Sequence, residues 1–171
     1  AKGGHNGEHH NHNDVGSFLV AVDGVPVIVD AGRPTYTAAT FGPDRYAIWT
    51  MQSAWHNVPV VRGTAQPEGT DAAARGAAVE IADHGSAFTV ELAGAYPDAG
   101  LSTWRRRARL DRAAARVEVD DSWSFADGIP TGEDTRLHLL VAGDVTLESG
   151  GARGIPRDGA RPVRMRWPSD I

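Results

Sequence analysis

The stretch Ser17-Phe18-Leu19-Val20-Ala21-Val22-Asp23-Gly24-Val25-Pro26-Val27-Ile28-Val29-Asp30 decides the fold class. Two apolar runs, 17–22 and 26–29, flank Asp23-Gly24. That dipeptide suits the left-handed positions of a tight turn and sets its flanks antiparallel. Working outward, the dominant period stays two rather than 3.6. Further strands are expected over 45–52, 57–61, 77–82, 87–92, 102–110, 116–125, 136–141 and 145–149, with a strand-like run over 163–167. Asp83-His84-Gly85 and Gly143-Asp144 read as tight turns between neighbours. This spacing predicts an all-β fold, an antiparallel β-sandwich of hairpin-connected strands. Segments 71–75 and 112–116 are rich in Ala and Arg, but both fall well short of the ~12 residues that make an independent helix. They are expected to be connections.

At 171 residues the chain is read as one domain, 1–171, large enough to bury a core without a disulfide or metal. It has no cysteine, which excludes a disulfide scaffold, a thiolate zinc site and a thiol nucleophile. No apolar run approaches the ~18 residues of a membrane span, and no signal peptide opens the chain. A net charge of −5 and a pI near 5.8 speak against duplex nucleic acid as a partner. The strip Arg105-Arg106-Arg107, with Arg109 and Arg112, reads as a strand whose side chains alternate between solvent and neighbouring carboxylates. Both ends look like cuts through something longer: a Gly-rich polar opening at 2–7, and a close over 162–171 with no clear stop.

Four of the seven histidines fall in one short segment: His5, His9, His10 and His12. A tag would be more uniform. Here Asn11, Asn13 and Asp14 interleave, and Val15-Gly16-Ser17-Phe18 leads directly into a strand. On an extended segment His10 and His12 would share one face, so that two imidazoles converge on an ion. Asp30, ending an apolar strand, is by itself an ordinary turn former, and His56 by itself an ordinary core histidine. Together with the H-x-H pair they offer a charge-compensated nitrogen and oxygen set suited to Zn²⁺, with a position left open. H-x-H also opens the cupin metal motif, but that motif needs a Glu soon after the pair, and none occurs between Glu8 and Glu68. His84 and His138 have no companions and read as structural.

The run Lys2-Gly3-Gly4-His5-Asn6-Gly7-Glu8-His9-His10-Asn11-His12-Asn13-Asp14-Val15-Gly16-Ser17-Phe18 closely resembles the opening of the heparinase II/III-like C-terminal domain. Val27-Ile28-Val29-Asp30-Ala31-Gly32 with Thr35-Tyr36, and then Ser53-Ala54-Trp55-His56-Asn57, extend the likeness. Tyr96-Pro97, Trp104-Arg105-Arg106 and Asp120-Asp121 carry it to about residue 125. His9 departs from the family, which usually has Asn there. The resemblance implies the β-sandwich half of a polysaccharide lyase whose other half is an N-terminal (α/α) toroid. It implies that His12, Asp30 and His56 bind a Zn²⁺-like ion, and that His10 takes part in proton abstraction. The implied reaction is β-elimination on a uronic-acid polysaccharide. In the family the Tyr acid/base and the group that neutralises the uronate come largely from the toroid; Tyr36, Tyr46 and Tyr96 all lie in sandwich segments and are no obvious stand-ins. The isolated chain is therefore expected to have little or no activity. Its expected partners are an acidic polysaccharide and the toroid of the same parent. An Ala-, Arg- and Gly-rich composition points to a bacterium, with a periplasmic or secreted location expected. The alternative is a non-catalytic carbohydrate-binding or structural metal-binding β-sandwich.

Overall fold

The alternation read from the sequence is realised as antiparallel pairing throughout, in a computed structural model that describes residues 1–130, 134–157, 159 and 161–168. Its strands are β1 (His5–Asn6), β2 (Val20–Val22), β3 (Val25–Ile28), β4 (Pro59–Val60), β5 (Gly69–Ala73), β6 (Arg75–Ala82) and β7 (Gly85–Glu91). They continue with β8 (Leu101–Asp111), β9 (Arg116–Phe125), β10 (Arg136–Leu137), β11 (Gly143–Glu148), β12 (Gly151–Pro156) and β13 (Val163–Arg166). Among the described residues there is no α-helix, and no helix is long and apolar enough to cross a membrane.

One layer is the four-stranded sheet β6-β7-β8-β9. Its register aligns Phe88, Ala108 and Val119 in one row and Val90, Arg106 and Asp121 in the next. Because side chains alternate between faces, Val90, Trp104 and Arg106 go inward, while Arg107 and Arg109 pair on the outer face with Glu80 and Glu118. The arginine strip thus behaves as expected, except that Arg106 is turned into the interior.

The opposite layer is assembled from smaller pieces. The β2–β3 hairpin turns through Asp23 and Gly24, at φ 53° and 83°, the two left-handed positions its sequence predicts. Beside it, β10 pairs with β4, and residues 140–142 continue along β3 through Val29 N–H to the Leu140 carbonyl and Ala142 N–H to the Val27 carbonyl. The sheet β11-β12-β13 completes the layer. Two apolar clusters join the layers. Val15 and Val61 pack with Val90, Leu92, Tyr96 and Trp104. Phe18, Val27 and Ile28 pack with Val119, Val163 and Met165. Burying each such side chain is worth roughly 1.5–3 kcal/mol, which is what presses the layers together.

The structure corrects three sequence expectations. Segment 45–52 is not a strand: short 3₁₀ turns run over Pro43–Ala47, Trp49–Met51 and Ser53–Trp55. Segment 71–75 is not a bare connection. β5 occupies Gly69–Ala73 and pairs with β1, burying Ala72. Alanine carries too little hydropathy to reveal that alternation. The third is β12, which the sequence reading passed over because glycine and proline usually break strands. It lies at the centre of its sheet, where small residues let neighbours close in; a Cβ on Gly154 would sit 3.1 Å from Val163. The 112–116 connection is as expected, a turn whose last residue begins β9.

Candidate metal centre

Three segments that begin far apart in the chain meet at His12, Asp30 and His56. One ligand-type atom from each lies within 4.8 Å of the others. Asp30 follows β3 and is held by the Gly32 N–H, which donates to its Oδ1 at 2.8 Å. His56 is fully buried at the end of the 3₁₀ turn Ser53–Trp55. There the tight turns matter. They fold the chain back so that the Thr50 carbonyl lies 2.9 Å from His56 Nε2. A carbonyl only accepts, so Nε2 carries a proton and donates it. The other ring nitrogen, Nδ1, then points at Asp30 Oδ2 across 2.6 Å. At that range Nδ1 and the carboxylate are joined either by a proton, as a hydrogen bond from His56, or by a cation that takes the proton's place. A backbone carbonyl that fixes the ring of a ligating histidine is the usual support of a metal site.

His12 closes the group, its ring 5.1 Å from that of His56. Burial, together with the neighbouring His56, lowers the His12 imidazole below its ordinary value, although Asp14 and Asp30 oppose the shift. A neutral ring keeps its lone pair for a cation. Burial works to raise the Asp30 carboxyl, but the hydrogen bonds from His56 and Gly32 outweigh it, leaving it below the usual carboxylate range. With a cation in place of the proton between His56 and Asp30, two imidazole nitrogens and one carboxylate form a donor set that suits Zn²⁺, so the residues present fit such an ion.

His10 does not join the group. The expectation of an extended segment with both histidines on one face is corrected: His10 lies in a turn at φ 56°. Its ring is exposed and stacks on Tyr36 at 6.3 Å. Tyr36 in turn meets Phe41 edge-on and carries the Arg33 guanidinium 5.6 Å above its ring. Tyr46 donates to Asn11 Oδ1 at 3.2 Å. Tyr96 is buried, donates to the Pro59 carbonyl and accepts from Gln66; burial pushes its phenol far up. Tyr96 is thus a structural hydroxyl. His138 caps the Ala54 carbonyl at 3.1 Å and His84 is an exposed turn residue; neither approaches the centre.

Several supporting residues escaped sequence reasoning. Asn57, next to His56, donates to the Phe18 and Val29 carbonyls and accepts from Leu140 N–H. Arg106 makes a two-pronged pair with Asp121 and donates through Nη1 to the carbonyls of Gly16 (3.0 Å) and Asn57 (2.8 Å). It fastens the sheet to both sides of the centre. Gly16 itself has φ 92°, and a Cβ there would lie 2.6 Å from Leu92, so only glycine lets the loop lie this close. The one sequence signal for Arg106 is the opposed pair of runs, Trp104-Arg105-Arg106 and Asp120-Asp121.

An all-β domain of antiparallel sheets, with a two-histidine, one-carboxylate centre beside an exposed histidine, is the class these elements define. Residues 1–169 match the family described as Heparinase II/III-like, C-terminal, and the chain belongs to that family. The family stands in the context of polysaccharide lyases, so the expected resemblance holds over nearly the whole chain. No curated protein gives a significant match.

Proposed function

We propose that this chain is the sandwich half of a lyase acting on uronic-acid polysaccharides, with His10 in proton abstraction and Zn²⁺ held by His12, Asp30 and His56. The observation that carries the reading is the pairing of a half-buried His12, Asp30 and His56 cluster with an exposed imidazole at His10, two residues from His12. In β-elimination a base removes the C5 proton, and the C–H electron pair becomes the C4–C5 double bond. The C4–O bond breaks, and its oxygen leaves with a proton from an acid. Imidazole is the commonest general base, and His10 is presented at the surface where a polymer can reach it. The acid and the groups that neutralise the uronate carboxylate belong to an N-terminal toroid of the same parent protein. When bound, the ion would supply positive charge that holds the three side chains together and stiffens the loop bearing His10. A bacterial, periplasmic or secreted setting accords with such a substrate.

The test compares the isolated chain with the toroid-containing parent on uronic-acid polymers, following the ultraviolet absorbance of the unsaturated product. Product is expected from the parent, with little or none from the isolated chain. Metal bound to both proteins, but product from neither, would favour the competing reading of a metal-pinned carbohydrate-binding or structural domain.

A further inference from the structure

His10 turns in a direction that side chains disfavour, since φ 56° lies in the left-handed region. Its own side chain is exposed and makes no hydrogen bond among the described residues. What holds the turn is the next residue. Asn11 is only 8% exposed, and each of its polar groups but the N–H is engaged. Its amide donates to the Asn6 carbonyl and, at 3.4 Å, to the His12 carbonyl. Its Oδ1 accepts from the Tyr46 hydroxyl at 3.2 Å, and its backbone carbonyl accepts from Arg45 Nη2 at 2.5 Å. Arg45 Nη1 is spent on the Thr40 carbonyl at 2.7 Å. The guanidinium therefore bridges two backbone segments and ties the histidine loop to the turns around residues 40–46. Asn6 is itself anchored, donating to Gln66 and to the Pro67 carbonyl.

We propose that Asn11 and Arg45 are positioning residues that hold the left-handed turn at His10, so that its ring faces outward while His12 faces the ligand cluster. The chemistry at position 11 requires an amide. Aspartate would accept from Tyr46 but set a charge against two carbonyls, and alanine would do neither. Lysine at 45 would keep the charge but lose the planar fork that spans both carbonyls. The proposal rests on the reading of His10 as the proton-abstracting group.

The test is a double-mutant cycle in the toroid-containing protein loaded with zinc, with metal content measured alongside. Asn11→Ala is expected to lower kcat roughly 100-fold, the order that a misplacement of about 1 Å costs, with KM little changed and zinc retained. In a His10→Ala background the same substitution is expected to cost nothing further. A loss of the same size in that background, or loss of zinc from Asn11→Ala, overturns the proposal. If Asn11→Ala does not fold, Arg45→Lys takes its place in the cycle, with a loss of roughly tenfold expected from the missing second donor. Should His10→Ala leave β-elimination intact, it is the reading of His10 that fails. Crystal structures then judge the brace: His10 leaving the left-handed region in the zinc-loaded variant supports it, and His10 staying there overturns it.

Discussion

Residues 75–125 form long strands, up to eleven residues in β8, whose backbone groups satisfy one another. Before β5 no strand exceeds four residues, and the chain runs mostly without a ladder. That half instead buries polar side chains that hydrogen-bond: Asn6, Asn11, His56, Asn57 and Gln66. Their partners are mainly carbonyls and N–H groups that a sheet would otherwise pair. In the strand half many similar contacts share the load, and any one is replaceable. In the site half the carbonyls of Asn6, Asn11, Phe18, Val29 and Thr50 each depend on one particular side chain, so single changes are costly. Specific geometry at the centre is obtained with a scaffold that has little redundancy.

The sharpest way to break this contrast is at its junction. Arg106→Ala leaves the charge of Asp121 uncompensated in the interior, with only the Trp104 indole N–H still donating to it, and is expected to cost about 3–5 kcal/mol in urea denaturation, a large share of a total near 5–15 kcal/mol. Replacing both partners, Arg106→Met with Asp121→Leu, should recover the share due to the orphaned charge but not that of the Gly16 and Asn57 carbonyls and the Trp104 indole N–H, which stay unpaired. Equal losses from the single and double changes would show that the bonds to the Gly16 and Asn57 carbonyls, not an orphaned charge, dominate the junction. Next comes Asn57→Ala, which strands two carbonyls and the Leu140 N–H; about 3 kcal/mol is expected, with faster hydrogen exchange at Leu140.

Zinc should sharpen the comparison further, because it acts on the site half alone. At 100 times its Kd, zinc is expected to add about 2.7 kcal/mol to unfolding, read as a raised Tm that a chelator reverses. His12→Ala should abolish the gain. The smallest effect is expected on the outer face of the sheet, where Glu80→Ala breaks the exposed pair with Arg107; a change under about 0.5 kcal/mol would be typical. A loss comparable to that of Asn57→Ala would mean that the strand half is not redundant after all.

The same division governs what the sequence reveals. The β2–β3 hairpin and strands β7, β8 and β9 follow from period two and turn residues, because a ladder needs only an alternating face. Residue types alone offered His10, His12, Asp30 and His56; the family resemblance singled out His12, Asp30 and His56, the three that the structure brings together. The supports of these three were not legible. The 3₁₀ turns over 43–55 exist to bring Thr50 to His56, and Ile48, Trp49 and Met51 merely look like a strand. The positive φ at His10 has no mark in its own side chain. It is set by Asn11 and Arg45, thirty-four residues apart, and no local pattern records a contact of that kind.

Arg106 also bears on the order in which the protein takes shape. Its partners lie 15 residues away at Asp121, 49 at Asn57 and 90 at Gly16. Contacts of such separation close late, since the chain entropy of the intervening loops is lost before they are made. Within this domain the histidine segment is made before β8 and β9, and its tie to them through the Gly16 carbonyl waits until Arg106 is in place. The histidine segment is thus expected to be among the last parts of the domain to settle, and metal capture should follow strand pairing. Stopped-flow refolding with a zinc-sensitive dye would show it, as a dye signal that lags behind the signal of the stacked Trp104 and Trp123.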